Sequence, residues 1–214
     1  MRTNTQSILG LAAAGLVALA GAGPAIAASA IDVSGFDEAY LEDGADLSAY
    51  SSVYVDAVGA EVEADENGQY NPRDGFSEAI SQNEIDQRAE TLRERLQGRL
   101  EDKVTMADGA DAGVLVISAT LTELAPSRPT LEGLSQEPSL SLSGSVAVGG
   151  AAVRIELIDG GDGAVIGRLE DRNFGRDLGD GRPRVGVWSD ADRAFSIWSR
   201  GLARYLEDAL GSDG

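Results

Sequence analysis

The sequence predicts an α+β fold whose elements follow one another in the order β-α-β-β-β-α. Four segments have the alternating pattern or the β-branched composition of strands, and two longer segments carry apolar residues every three or four positions. Each helix has only one apolar stripe to bury. The most economical arrangement is therefore a four-stranded, mostly antiparallel sheet with two helices packed on one face.

A polar loop separates the first strand from the first helix. Residues 52–57 alternate apolar and polar side chains, which predicts a strand with one buried face. Residues 61–75 contain Asn-Gly and Asn-Pro, which favour a loop. Ser81 and Glu84 then form the capping-box pattern that begins a helix. The apolar residues of that helix recur at helical spacing: Ile85, Ala89, Leu92, Leu96 and Leu100.

A long loop separates the second and third strands. Residues 114–124 are rich in β-branched side chains and predict the second strand. Residues 126–144 hold three prolines and many serines, which predict a loop. The third strand covers residues 147–158, and its Gly149-Gly150 pair predicts a bulge or bend.

The third and fourth strands are predicted to form a hairpin. The turn is the Gly/Asp-rich segment 159–163, and the fourth strand covers residues 164–173. Pairing Ile158 with Ile166 places opposite charges across from each other on one exposed face, and such pairs stabilise a register by a fraction of a kcal/mol each. The predicted pairs are Glu156 with Arg168 and Arg154 with Glu170.

A second helix is predicted near the end of the chain. Serine is a preferred N-cap residue, so Ser189 is predicted to cap this helix, with Asp192 at its third position and Gly211 at its end. Trp198 lies on the apolar stripe and is predicted to be core, whereas Trp188 could be core or could stack on a sugar. The stripe also contains Ala191, Phe195, Leu202, Leu206 and Ala209.

Residues 1–27 read as a secretory signal peptide. Arg2 precedes the uncharged apolar run 8–22, and Ala25-Ile26-Ala27 presents small residues for cleavage. That run is shorter than the roughly 20 residues of a spanning helix. We expect cleavage after Ala27, with Ala28-Ser29-Ala30 as an alternative site, and a periplasmic or secreted protein. An irregular acidic lead-in, residues 28–52, would precede a single domain at 53–211.

Composition narrows the partners of the exported chain. The formal net charge is −19, and eleven carboxylates without one basic residue lie between Asp32 and Glu66. Such charge disfavours binding to nucleic acid. The acidic segment could be a solvated surface or a face for cations or a basic partner. Without cysteine there is no residue to carry a lipid anchor, and no later segment is apolar enough to span a membrane.

Composition also limits the chemistry. With no histidine and no cysteine, Ser-His-Asp and Cys-His sites and the usual zinc sites are excluded. We predict no catalytic residue, cofactor or metal site. The chain is interpreted as a non-catalytic envelope accessory or binding module, with a carboxylate-dependent hydrolase of cell-wall or glycan substrates as the alternative. The candidate surface for a protein partner in the envelope is the 126–144 loop, which contains Leu131, Leu134, Leu140 and Leu142.

Four stretches together resemble a known family: Ser34-Gly35-Phe36, residues 114–124, residues 149–159 beginning Gly-Gly, and the stretch from Trp188-Ser189-Asp190-Ala191 to Leu206. They resemble the bacterial envelope family catalogued as domain of unknown function 3313 (DUF3313). The resemblance implies an envelope protein without an established activity or ligand, so it supplies no functional residues. Members are typically predicted lipoproteins, and this sequence departs from them in lacking the acylated cysteine.

Overall fold

The computed structural model describes residues 28–62, 80–127, 149–174 and 186–211, and their elements confirm the α+β class. A short 3-10 turn lies at Leu47–Ala49. The strands are β1 (Ala28–Ala30), β2 (Glu38–Glu42), β3 (Ser52–Val55), β4 (Gly59–Ala60), β5 (Val114–Ala125), β6 (Gly150–Asp159) and β7 (Val165–Phe174); the helices are α1 (Gln82–Leu100) and α2 (Ser189–Leu210).

The sheet is larger than the sequence predicts. It has seven strands in the order β1-β2-β7-β6-β5-β3, with β4 also paired to β5. It is mixed, because β3 and β4 run parallel to β5 while the other pairs are antiparallel. The prediction of a four-stranded sheet was therefore wrong in strand number, and the two parallel pairings with β5 make the sheet mixed.

Two of the extra strands lie in the segment that we expected to be irregular. β1 is exposed along its whole length, and only Ala39 of β2 is buried. β1 shows no alternation of buried and exposed positions, and β2 shows it only over residues 38–40, which is too short to identify a strand. The lead-in thus completes one edge of the sheet.

Both helices pack against the sheet and against each other. α1 contacts β3, β4 and β5, whereas α2 contacts β6 and β7. Contacts join the helices in the same chain order, from Arg88 with Asp192 to Lys103 with Glu207, so the helices are parallel. Among the described residues, no helix combines the length and the apolar character needed to cross a membrane.

The predicted start of α1 is confirmed. The Ser81 hydroxyl accepts from the Glu84 backbone N–H at 3.3 Å, and the Ser81 N–H donates to the Glu84 carboxylate at 3.0 Å. These two bonds form the capping box, which satisfies two donors that a helix leaves without internal partners. The predicted apolar residues from Ile85 to Leu100 are all buried.

The start of α2 differs from the prediction. Ser189 is the first helical residue, and Trp188 occupies the N-cap position without a side-chain capping bond. The Ser189 hydroxyl is used outside the helix, where it donates to the Gly186 carbonyl at 2.8 Å. Ser189 therefore does not cap α2. The predicted end at Gly211 and the core position of Trp198 are confirmed.

The charge pairing of the β6–β7 hairpin is confirmed. Arg168 bonds to Glu156 at 2.9 Å, and Arg154 lies 3.7 Å from Glu170. Ile158 pairs with Val165 rather than with Ile166, because the ladder shifts beside Leu157. The shift occurs beyond the charged rows, so it leaves their register unchanged.

Candidate functional site

One end of the sheet brings together the ends of β5 and β7 and the start of β6. Ala125 pairs with Gly150, and Gly150 pairs with Phe174, so β5 ends, β6 begins and β7 ends side by side. β4 runs parallel to β5 and ends in the same direction, and α2 begins after β7. We call this the upper end of the sheet.

Ser127 connects the end of β5 to α2 at the upper end of the sheet. Its side chain is fully buried, and its hydroxyl donates to the Asp190 carboxylate at 2.8 Å. The same hydroxyl accepts from the Asp190 backbone N–H at 3.1 Å, which is a donor in the first turn of α2. Ser127 thus supplies from the end of β5 the capping bond that Trp188 does not make. The Ser127 N–H also donates to the Val187 carbonyl at 2.6 Å.

Two glycines let the start of β6 lie directly against Ser127. A Cβ on Gly149 would stand 2.5 Å from the Ser127 backbone nitrogen, and a Cβ on Gly150 would overlap the Asn173 carbonyl oxygen. The Gly149-Gly150 pair is therefore needed for close backbone approach. Its consequence is that the residues on either side of 128–148 are in contact. The four candidate leucines, Leu131, Leu134, Leu140 and Leu142, lie outside the described residues.

A second polar feature lies where β2 meets β7. Glu38 pairs with Glu170, and the N–H of Asp37, just before β2, donates to the Glu170 carbonyl at 3.1 Å. The Asp171 carboxylate accepts from Trp198 Nε1 at 2.6 Å. The two aspartates line a cleft of about 250 Å³, together with Glu38, Glu123, Glu170 and Arg172.

The surroundings of Asp171 favour its neutral form. Burial raises the pKa of Asp171, and the nearby charge of Asp37 raises it further, against the lowering effect of the Trp198 hydrogen bond. The sequence could have predicted that Asp171 faces inward, because strand alternation places residue 171 on the same face as buried Leu169. We did not single out this inward carboxylate from the sequence.

The hydrolase alternative requires two carboxyl groups roughly 5 to 10 Å apart in a cleft. Asp37 and Asp171 line the same cleft, where the Asp171 carboxylate is bonded to Trp198 Nε1. No group of three or more acidic side chains in the described ranges is arranged to hold a metal ion.

The described part of the acidic segment is extensively bonded. Asp43 accepts from Ser29, Asp46 from Ser48, and Glu61 from Arg154.

Trp188 is half-buried and lies 5.8 Å from the guanidinium of Arg88. Its indole therefore packs against an arginine.

Comparison with known proteins identifies a family but no curated relative, since no curated protein matches the chain. A PelC variant dodecamer from Paraburkholderia phytofirmans is 18% identical, with a TM-score of 0.40 over 77% of this chain and 92% of that one. A second PelC dodecamer from the same organism is 15% identical, with a TM-score of 0.41 over 77% and 94%. A family model described as "Protein of unknown function (DUF3313)" matches residues 32–202, and the chain belongs to that family.

Proposed function

We propose that the chain is an exported, non-catalytic accessory or binding module of the cell envelope that works by contact with another protein. The observation that carries this proposal is the contact that Ser127 makes with Asp190 of α2 and with the start of β6. Ser127, which precedes residues 128–148, lies there against Gly149, which follows them, on a buried, hydrogen-bonded framework. Binding segments are commonly presented in this way, on a rigid scaffold that fixes where they begin and end.

The composition of that segment supports protein contact. Its four leucines alternate with serine, glycine and acidic residues. Apolar side chains in a polar segment favour a protein partner, because their burial at an interface is favourable. The net charge of −19 favours a partner surface that is apolar or basic.

Replacing Leu131, Leu134, Leu140 and Leu142 together by serine is expected to abolish the partner cross-links that the wild-type protein forms in its native envelope. The loss follows from removing the apolar contacts of the segment. The measurement is cross-linking followed by mass spectrometry of the captured proteins. A control variant with Ser135, Ser139 and Ser141 changed to alanine alters the same segment and should keep the wild-type partners. Unchanged partners in the leucine variant would overturn the proposal.

Export makes a separate prediction about the mature N-terminus. β1 begins at Ala28, and its three residues pair with Tyr40, Leu41 and Glu42. Cleavage after Ala27 leaves this strand whole, whereas cleavage after Ala30 removes it. We therefore expect N-terminal sequencing of protein from the soluble periplasmic fraction to begin Ala-Ser-Ala-Ile-Asp. A mature chain that begins at Ile31, or an uncleaved chain, would contradict this expectation.

A further inference from the structure

β3 lies at one edge of the sheet, and its outer side is only partly paired. The Val53 N–H donates to the Thr105 carbonyl at 2.9 Å, and the Val53 carbonyl accepts from the Ala107 N–H at 2.8 Å. Residues 105–107 therefore cover this side of β3 at Val53. Val55 turns its N–H and carbonyl to the same side, because backbone groups alternate in direction along a strand. Within the described ranges, no backbone bond reaches that side of Val55.

The edge continues from β3 into β4 with an irregularity. Val55 pairs with Ile117 and Gly59 with Thr120, so the edge has one more residue than β5 between these two pairs. The extra residue makes a bulge, which bends an edge and limits how far a further strand can pair along it. Added strands are held by main-chain hydrogen bonds, and neighbouring side-chain pockets give specificity. The side chains beside Val55 therefore decide which segment can bind.

A cavity of about 450 Å³ lies against this edge, between β3 and the second half of α1. On the helix side it is lined by Arg93, Gln97 and Glu101, which stand four residues apart and so lie on one face. Hydrogen bonds of 3.2 Å and 2.9 Å join their side chains in that order. The rest of the lining comes from residues 54–57 and 106–108. An open strand edge and a polar helix face thus border the same cavity.

The charge of this cavity is negative. Asp56, Glu101 and Asp108 contribute carboxylates, and all three residues are exposed. The basic residue in the lining is Arg93, whose guanidinium bonds to Glu90 at 2.7 Å. In the part of the chain that the structure describes, no lysine or arginine forms an ion pair with the three carboxylates. A positively charged side chain is therefore the one that this cavity favours.

We propose that the open edge at Val55 binds an extended, basic segment of a partner protein as an added β-strand. Main-chain bonds to the outward N–H and carbonyl of Val55 hold the segment, in line with residues 105–107. A lysine or arginine side chain of the segment enters the cavity and meets its carboxylates. Val55 pairs near the start of β5, whereas Ser127 follows its end. The edge is therefore a second contact surface, and it does not rest on residues 128–148.

The test is the binding of labelled peptides of about seven residues, the length of an ordinary strand, to the mature protein by fluorescence anisotropy. One peptide alternates valine with lysine, and a second alternates valine with glutamate. A third is the lysine peptide N-methylated at its internal amides, which removes the main-chain donors and keeps the charge. We expect the lysine peptide to bind with a dissociation constant below about 1 mM, and the other two to bind about tenfold more weakly or not at all.

Two charge-reversal variants locate the site. Glu101→Lys combined with Asp108→Lys should weaken binding of the lysine peptide about tenfold, because it reverses two of the cavity's three carboxylates. Lysine at the end of α1 is favourable to the helix dipole, so the fold should persist. Asp32→Lys combined with Asp43→Lys makes the same change in net charge at exposed positions beside β1 and β2, at the opposite edge of the sheet. This control should bind the peptide as the wild type does.

Hydrogen exchange supplies a readout at the edge itself. The lysine peptide should slow exchange of the Val55 amide and leave the Ile155 amide, in the central strand β6, unchanged. The variant with four leucines changed to serine should bind the peptide normally, so failure of the segment 128–148 as a binding surface would be distinguishable from failure of the edge.

Four outcomes would overturn the edge as a binding site. They are no binding of the lysine peptide at about 1 mM, equal binding of the N-methylated peptide, and an equal loss in the two charge-reversal variants. The fourth is a Val55 amide as strongly protected in the free protein as that of Ile155, because the chain itself or a second copy would then already cover the edge.

Discussion

Gly201→Ala is expected to lower the free energy of unfolding by about 3 kcal/mol, although alanine is normally favoured over glycine inside a helix by about 1 kcal/mol. A Cβ at position 201 would overlap the carbonyl oxygen of Ser34, which lies in the connection between β1 and β2 (residues 31–37, the strap). Backbone atoms cannot turn aside as the end of a side chain can. The strap would have to leave α2 and take buried Val33 with it.

Gly98→Ala is the matched control for this substitution. Gly98 is also in a helix, but nothing lies within 4 Å of the position where its Cβ would stand. Alanine there should raise the free energy of unfolding by about 0.5–1 kcal/mol. Urea unfolding of both variants, at one pH, measures the difference. A stabilised Gly201→Ala variant would show that the strap does not lie on α2 in solution.

The elements that the sequence predicts well depend on residues close together in the chain. The capping box of α1 joins Ser81 to Glu84, and the β6–β7 register follows from charges on either side of one turn. β1 and β2 were not predicted because they are short and depend on distant pairing: β1 pairs with β2, and β2 pairs with β7, which lies far along the chain. Their stability depends on a tertiary neighbour that local patterns do not contain.

The site residues escaped prediction for a related reason. Ser127 follows a strand and precedes a polar segment, so nothing nearby distinguishes it from the other serines. Its capping role appears only when the end of β5 is brought against the first turn of α2. Asp171 did carry a local signal, since strand alternation turns it inward with Leu169. A carboxylate at such a position indicates a hydrogen-bonded partner, which here is Trp198.

Ser127→Ala is expected to lower the free energy of unfolding by about 2–3 kcal/mol. The substitution removes the acceptor for the Asp190 N–H and the donor to the Asp190 carboxylate, and both residues are buried. Buried polar groups that lose a partner destabilise by about 1–3 kcal/mol, and charged groups by more. Ser189→Ala, one residue away from Asp190, should change stability by less than about 0.5 kcal/mol because its bonds to Gly186 are exposed.

Comparing Ser127→Ala with Ser189→Ala tests whether α2 is capped by a residue from elsewhere in the fold or by a serine of its own first turn. If Ser189 capped α2, its replacement would cost about 1 kcal/mol and Ser127 would matter less. Thermal unfolding of both variants measures this order, and a larger loss at Ser189 would contradict the structure. The same contact holds Ser127, the residue before 128–148, against α2. Ser127→Ala should therefore weaken partner cross-linking at temperatures where the fold persists, whereas Ser189→Ala should not, because Ser127 and not Ser189 connects that segment to the helix.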